Sequence, residues 1–94
     1  MLMLFVIFCV DRAGTEEKRK QAVKSHIDYL ATNPIKVVMS GPLVTDDGAR
    51  AIGSLFLVDA ASRAEVEAFQ RADPFFNAEI WETVEVRAFN KRVG

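Results

Sequence analysis

The stretch Leu2 to Val10 constrains this chain more than any other. It is apolar at odd and even positions alike, rich in Val, Ile and Phe, and too short for an independent helix. Those properties describe a strand covered on both faces. A bilayer span needs about 18 or more such residues, whereas Asp11 and Arg12 close this run at once. No basic residue precedes it and no small-residue cleavage site follows it, so it does not read as a leader either.

Further elements follow in a regular order. Thr15 is placed to N-cap a helix, with Glu16 and Glu17 in the first turn where the dipole favours negative charge. Val23, His26, Ile27 and Leu30 repeat at helical spacing and predict its core face, and Asn33 and Pro34 stop it. Ile35 to Ser40 reads as a second strand ended by Gly41 and Pro42. Thr45-Asp46-Asp47-Gly48 carries turn chemistry and predicts a hairpin into a third strand from Ile52 to Val58. Ser62-Arg63-Ala64-Glu65 is a capping box, opening a helix with Val66, Phe69 and Ala72 inward that ends near Asp73, before Pro74. From Ile80 to Phe89 the residues alternate with the two-residue period of a half-buried strand.

The order βαββαβ, with right-handed crossovers, predicts an α+β, ferredoxin-like fold: a four-stranded antiparallel sheet with both helices on one face. Ninety-four residues suffice for one core, so residues 1–94 are expected to form one domain. Two helices leave the second sheet face bare although Leu2 to Val10 is apolar on both. An apolar patch larger than a few hundred Å² on a monomer calls for cover, and a second copy of the chain, in a homodimer, would supply it.

The 12 Lys and Arg are offset by 13 Asp and Glu, leaving no basic excess for a nucleic acid or an anionic membrane. One Cys and one His build neither a zinc nor an iron–sulfur site within one chain. A lone Cys makes no internal disulfide, which points to a reducing cytoplasm.

His26 lies on or beside an apolar stripe. It reads either as a core histidine or, given a partner, as a proton-transfer group. Asp73 is the candidate partner. At the end of a helix its carboxylate faces the negative dipole pole, which wastes its charge, yet Asp-Pro is also common punctuation at a helix stop. Gly41, Pro42, Gly53 and Ser54 lie at strand ends where backbone could approach a ligand or mark a bulge. Cys9 reads as a small core residue, Asp46 and Asp47 as a solvated turn. Tyr29, Phe75, Phe76 and Trp81 are either pocket walls or core.

Over nearly its whole length the chain resembles the YCII-related (YciI-like) family of small bacterial proteins. The shared features are the apolar strand ending in Asp11, Glu17-Lys18-Arg19, His26, Ser40-Gly41-Pro42, Gly53-Ser54, Asp73-Pro74-Phe75 and Val84-x-Val86-x-x-Phe89. The resemblance implies a ferredoxin-like fold that dimerises sheet to sheet, as in the dimeric α+β barrels related to muconolactone isomerase. It further implies that His26 and Asp73 meet in a pocket as a catalytic pair, with Gly41, Pro42, Ser54, Pro74 and Phe75 as substrate-binding residues. One branch of the family looks like a dehydrochlorinase of chlorinated hydroxyhydroquinones. Val23 stands where an Arg is often found, the Gly41-to-Gly53 connection is short, and Ala88 replaces a Pro.

Two functions follow as expectations. The first is a lyase or isomerase needing no metal or other cofactor, which moves a proton on a small aromatic or quinoid substrate through His26 and Asp73. The second is a non-catalytic homodimer that binds a small ligand or a partner protein, with the His–Asp pair purely structural.

Overall fold

The apolar run forms a central strand. In the computed structural model, which describes residues 2–94, β1 (Met3–Asp11) is followed by α1 (Glu16–Thr32), β2 (Lys36–Val44) and β3 (Ala51–Ala60). Then come α2 (Arg63–Ala72), a single turn α3 (Pro74–Asn77) and β4 (Trp81–Phe89). The sheet order is β2-β3-β1-β4, every pair antiparallel, with β1 and β3 inside. This is the ferredoxin-like arrangement, with the helices on one face.

Strand alternation divides the apolar side chains between two environments. Phe5, Ile7 and Cys9 of β1 sit beside Phe56 and Val58 of β3 and Val86 of β4 under the helices, none more than 6% exposed. Val66 and Phe69 of α2 and Phe75 of α3 close this core from above. Leu4, Val6 and Phe8, with Leu55, Leu57 and Phe89, point the other way, and Phe8 and Phe89 stay 41% and 44% exposed.

Several boundaries differ from the sequence reading. Gly41 and Pro42 do not end β2, which continues through them to Val44 with Gly41 opposite Leu55 and Pro42 opposite Ser54. A proline is tolerated there because β2 is an edge strand that need not donate on both sides. The core face of α1 is also rotated: His26 is its one buried residue, with Ala22, Tyr29 and Leu30 packed around it, while Val23 and Ile27 are exposed. In α2, Gln70 is buried and Ala72 is not. Between Val10 and Asp11 the β1–β4 register shifts, which turns both Ile80 and Trp81 into the core and breaks the simple alternation of β4.

Local chemistry explains the ends. The Thr15 hydroxyl does not cap α1 but donates to the Arg12 carbonyl at 2.7 Å. Ser62 caps α2 by accepting from Glu65 N, whereas the Glu65 carboxylate reaches the amide of Ala61 rather than that of Ser62. In the β2–β3 hairpin Asp47 Oδ1 accepts from the Thr45 hydroxyl at 2.6 Å and from Ala49 N at 3.0 Å, and these bonds hold its carboxyl below the usual range. Among the described residues, no helix is long and apolar enough to cross a membrane.

Candidate functional site

Asp73 joins two helices. It is the C-cap of α2 and the N-cap of α3, where its Oδ1 accepts from Phe75 N at 2.8 Å with Pro74 in the first turn. The expectation that its charge is wasted at a helix C-terminus is therefore corrected: the next helical turn starts at the same residue and uses the carboxylate as a cap. Asp-Pro-Phe is the local signal for that turn.

The carboxylate, 1% exposed, also meets the imidazole of His26, with Nδ1 at 2.8 and 2.9 Å from the two oxygens. A carboxylate anion only accepts, so Nδ1 carries the hydrogen and donates, and in the neutral form of the ring Nε2 is then the nitrogen with the lone pair. The ring is held flat against Phe75, at a centroid distance of 3.9 Å and an interplanar angle of 8°, and edge-on to Phe56 at 5.9 Å. An imidazole fixed in tautomer and in plane is pre-organised for directional proton transfer.

His26 forms part of the wall of a cavity of about 260 Å³ between α1 and the β2–β3 half of the sheet. Gly41, Pro42, Ser54 and Phe75 line the same cavity, as does Ser40. Pro74 does not reach it, and Asp73 lies behind the imidazole, off the cavity surface. Of the other aromatic candidates, Tyr29 belongs to a separate cleft near Pro34 and Phe69 and donates its hydroxyl to the Phe69 carbonyl. Trp81 sits in the core and Phe76 is 40% exposed. Cys9 is fully buried opposite Ser54, and burial, reinforced by the charges of Asp73 and Asp11, pushes its thiol up to about 12. A thiol held so far from ionisation is no nucleophile, in line with a core role.

Two features of the wall escape a reading by periodicity. The first is the apolar row Val23, Ile27 and Leu30, which lines the cavity; Leu30 also packs against the core, whereas Val23 and Ile27 do not. Helical spacing marks an apolar stripe and cannot distinguish a stripe on protein from one facing a cavity. The second is Arg19, two turns before His26. Its Nε donates to Asp11 at 2.9 Å, and its Nη2 donates to the Gly53 carbonyl at 2.6 Å and to Ser54 Oγ at 2.8 Å. Its guanidinium carbon lies 4.8 Å from the Phe75 ring centroid. The i, i+7 spacing of Arg19 and His26 is the one trace of this placement in the sequence.

Gly53 allows these contacts. A Cβ there would collide with the Cys9 carbonyl oxygen on β1 and press on Leu43, so only glycine lets β3 run this close while turning its own carbonyl to Arg19.

Two curated relatives, the YciI proteins of Escherichia coli and Shigella flexneri, are each 30% identical over 96 residues, covering 95% of this chain and 98% of theirs. Among solved structures, the 5-chloro-2-hydroxyhydroquinone dehydrochlorinase TftG of Burkholderia phenoliruptrix, in complex with 2,5-dihydroxybenzoquinone, superposes with a TM-score of 0.85. It is 29% identical, and the match covers 94% of each chain. A NIPSNAP family protein of Agrobacterium tumefaciens, 18% identical with a TM-score of 0.58 over 98% of this chain and 94% of that one, shares the fold alone. Residues 3–90 match the profile of the YCII-related domain, and the chain belongs to that family.

Proposed function

We propose that the cavity beside His26 is the active site of an enzyme that moves protons on a small aromatic or quinoid substrate, most specifically a dehydrochlorinase of a chlorinated hydroxyhydroquinone. The observation that carries this reading is the buried His26–Asp73 contact at 2.8 Å, placed so that the imidazole and not the carboxylate meets the cavity. The likeness to a dehydrochlorinase with a quinone ligand supports the substrate class.

Elimination of HCl needs an acid–base group at two moments and no external oxidant. A phenolic hydroxyl gives its proton to His26 Nε2, and the imidazolium returns it to the chlorine-bearing ring carbon, producing the keto tautomer. A second hydroxyl then loses its proton to Nε2 as the C–Cl bond breaks and chloride leaves with the electron pair. The products are a hydroxyquinone and HCl, so atoms and electrons balance. Asp73 keeps Nδ1 protonated and stabilises each transient imidazolium. Gly41, Pro42, Ser54 and Phe75 form the walls that orient the ring. Pro74 contributes by starting α3 and fixing Phe75. The apolar sheet face opposite the helices packs against a second copy in this reading, giving a homodimer with one cavity per chain.

The test is chloride release and quinone absorbance from 5-chloro-2-hydroxyhydroquinone. His26→Ala lowers turnover by about a hundred- to ten-thousand-fold, and Asp73→Asn, which offers the wrong hydrogen-bond pattern to Nδ1, lowers it comparably. Equal rates in all three proteins reject the pair as catalytic. Binding of 2,5-dihydroxybenzoquinone without any turnover favours the non-catalytic ligand-binding module instead.

A further inference from the structure

We infer that Ser54 and Arg19 form the oxygen-recognising half of the site: Arg19 is a positioning residue that holds and polarises the Ser54 hydroxyl, which donates to an oxygen of the bound ring. The inference rests on the cavity being the substrate site, and it assigns what His26 and Asp73 leave open, namely how the ring's oxygens are held.

Ser54 is 3% exposed and lines the cavity. Its Oγ accepts from Arg19 Nη2 at 2.8 Å, and among the described residues nothing accepts the hydroxyl's own hydrogen. Across the sheet Ser54 faces Cys9, whose sulfur is only a weak acceptor, and Pro42. A buried hydroxyl whose lone pair is engaged by a cation has its remaining donor strengthened, because the two bonds polarise each other. The cavity is the place left for the acceptor.

Arg19 cannot itself serve as a free cation for a strongly anionic group. Asp11 neutralises it at 2.9 Å, with both side chains nearly buried, and the Gly53 carbonyl fixes the same Nη2 that reaches Ser54. No other Lys or Arg lines the cavity among the described residues. The wall thus offers one directed donor beside a matched ion pair. That suits a hydroxyl, a carbonyl or a quinonoid oxyanion whose charge is spread over the ring, and it disfavours a carboxylate or a phosphate, whose localised charge would be buried unpaired. The ligand class is accordingly a hydroxylated or quinoid ring without a carboxylate or phosphate substituent.

Direct binding tests this independently of turnover, with 2,5-dihydroxybenzoquinone as probe and its visible absorption band as readout. Ser54→Ala weakens binding by about ten- to a hundred-fold and abolishes the band shift, while Ser54→Thr, which retains the hydroxyl, keeps most of both. Removing Arg19 altogether leaves the Asp11 carboxylate unpaired, so Arg19→Lys is the companion variant. It preserves the charge, loses the fork, and reduces the band shift with a melting temperature close to that of wild type. The carboxylated ring 2,5-dihydroxybenzoate binds at least about ten-fold more weakly than the quinone. If wild type binds the quinone and Ser54→Ala binds it equally with the same spectrum, this assignment is wrong while the His26 reading stands. Tighter binding of the carboxylated ring overturns the ligand class. If wild type neither binds the quinone nor turns over the chlorinated substrate, the substrate-site reading fails and this inference with it.

Discussion

The two faces of the sheet are made of the same strands and comparable side chains, yet they do different work. On the helix side Ile7, Phe56 and Val58 are at most 1% exposed and set the floor under His26. On the opposite side, one residue along the same strands, Phe8 and Leu57 meet no helix, and Phe8 is 41% exposed. One face is finished by its own chain; the other is apolar and open. Hydrophobicity therefore determines that both faces seek cover, and the placement of α1 and α2 decides which face receives it within the chain.

The largest expected difference between the faces is in stability. Ile7→Ala removes packing from a fully buried position and costs about 2–5 kcal/mol, read by urea denaturation. Its neighbour Phe8 predicts the opposite pattern. Phe8→Lys sits across from Glu85 on β4, keeps the protomer's secondary structure as read by circular dichroism, and places a charge in the middle of the open face. Sedimentation should then show the mass fall from dimer to monomer. A Phe8→Lys protein that remains dimeric would remove the open face as the contact between copies.

Asp73→Ala probes the closed face where it meets the site. It strips the cap from α3 and the partner from His26 Nδ1, costing about 2–3 kcal/mol by the same denaturation measurement. Gly53→Ala is smaller, about 1–3 kcal/mol, because the added methyl forces β3 away from the Cys9 carbonyl. It also pulls the Gly53 carbonyl from Arg19, so quinone binding weakens alongside stability.

Much of this was legible in the sequence. The double-faced apolar run, the capping box at Ser62 and the Asp-Gly turn each encode local structure, and together they fix the βαββαβ order. The meeting of His26 with Asp73 was not readable from spacing, since 47 residues separate them: its place at a helix end made Asp73 a candidate, the topology joined the two only weakly, and the family resemblance implied their contact. Arg19 was hidden for a different reason: its partners Asp11, Gly53 and Ser54 come from three places in the chain, and a charged residue at the start of a helix ordinarily signals solvent. The path of β2 through Gly41 and Pro42 was misread because both residues are usual strand breakers. An edge strand removes the penalty, and edge position belongs to the tertiary fold.

The smallest effect concerns Cys9, whose fate depends on the closed face staying dry. Its thiol is raised from 9.0 to about 12, chiefly by burial and further by the nearby Asp73 and Asp11 carboxylates. The folded state therefore keeps the proton that the unfolded chain gives up. Stability from this source is fully present below about pH 9 and is lost as pH rises from there through about 12, because only the unfolded state ionises in that window. Tyr29, also raised by burial and then by Asp73, acts in the same direction above its ordinary range, so the Cys9 share must be isolated by difference. Unfolding free energies of wild type and Cys9→Ala, compared at about pH 8 and about pH 10.5, isolate it: wild type should lose on the order of 1–2 kcal/mol more than the variant. Equal losses would mean that water reaches the thiol, and with it the floor beneath His26, so that the two faces differ less in solvent access than their side-chain burial indicates.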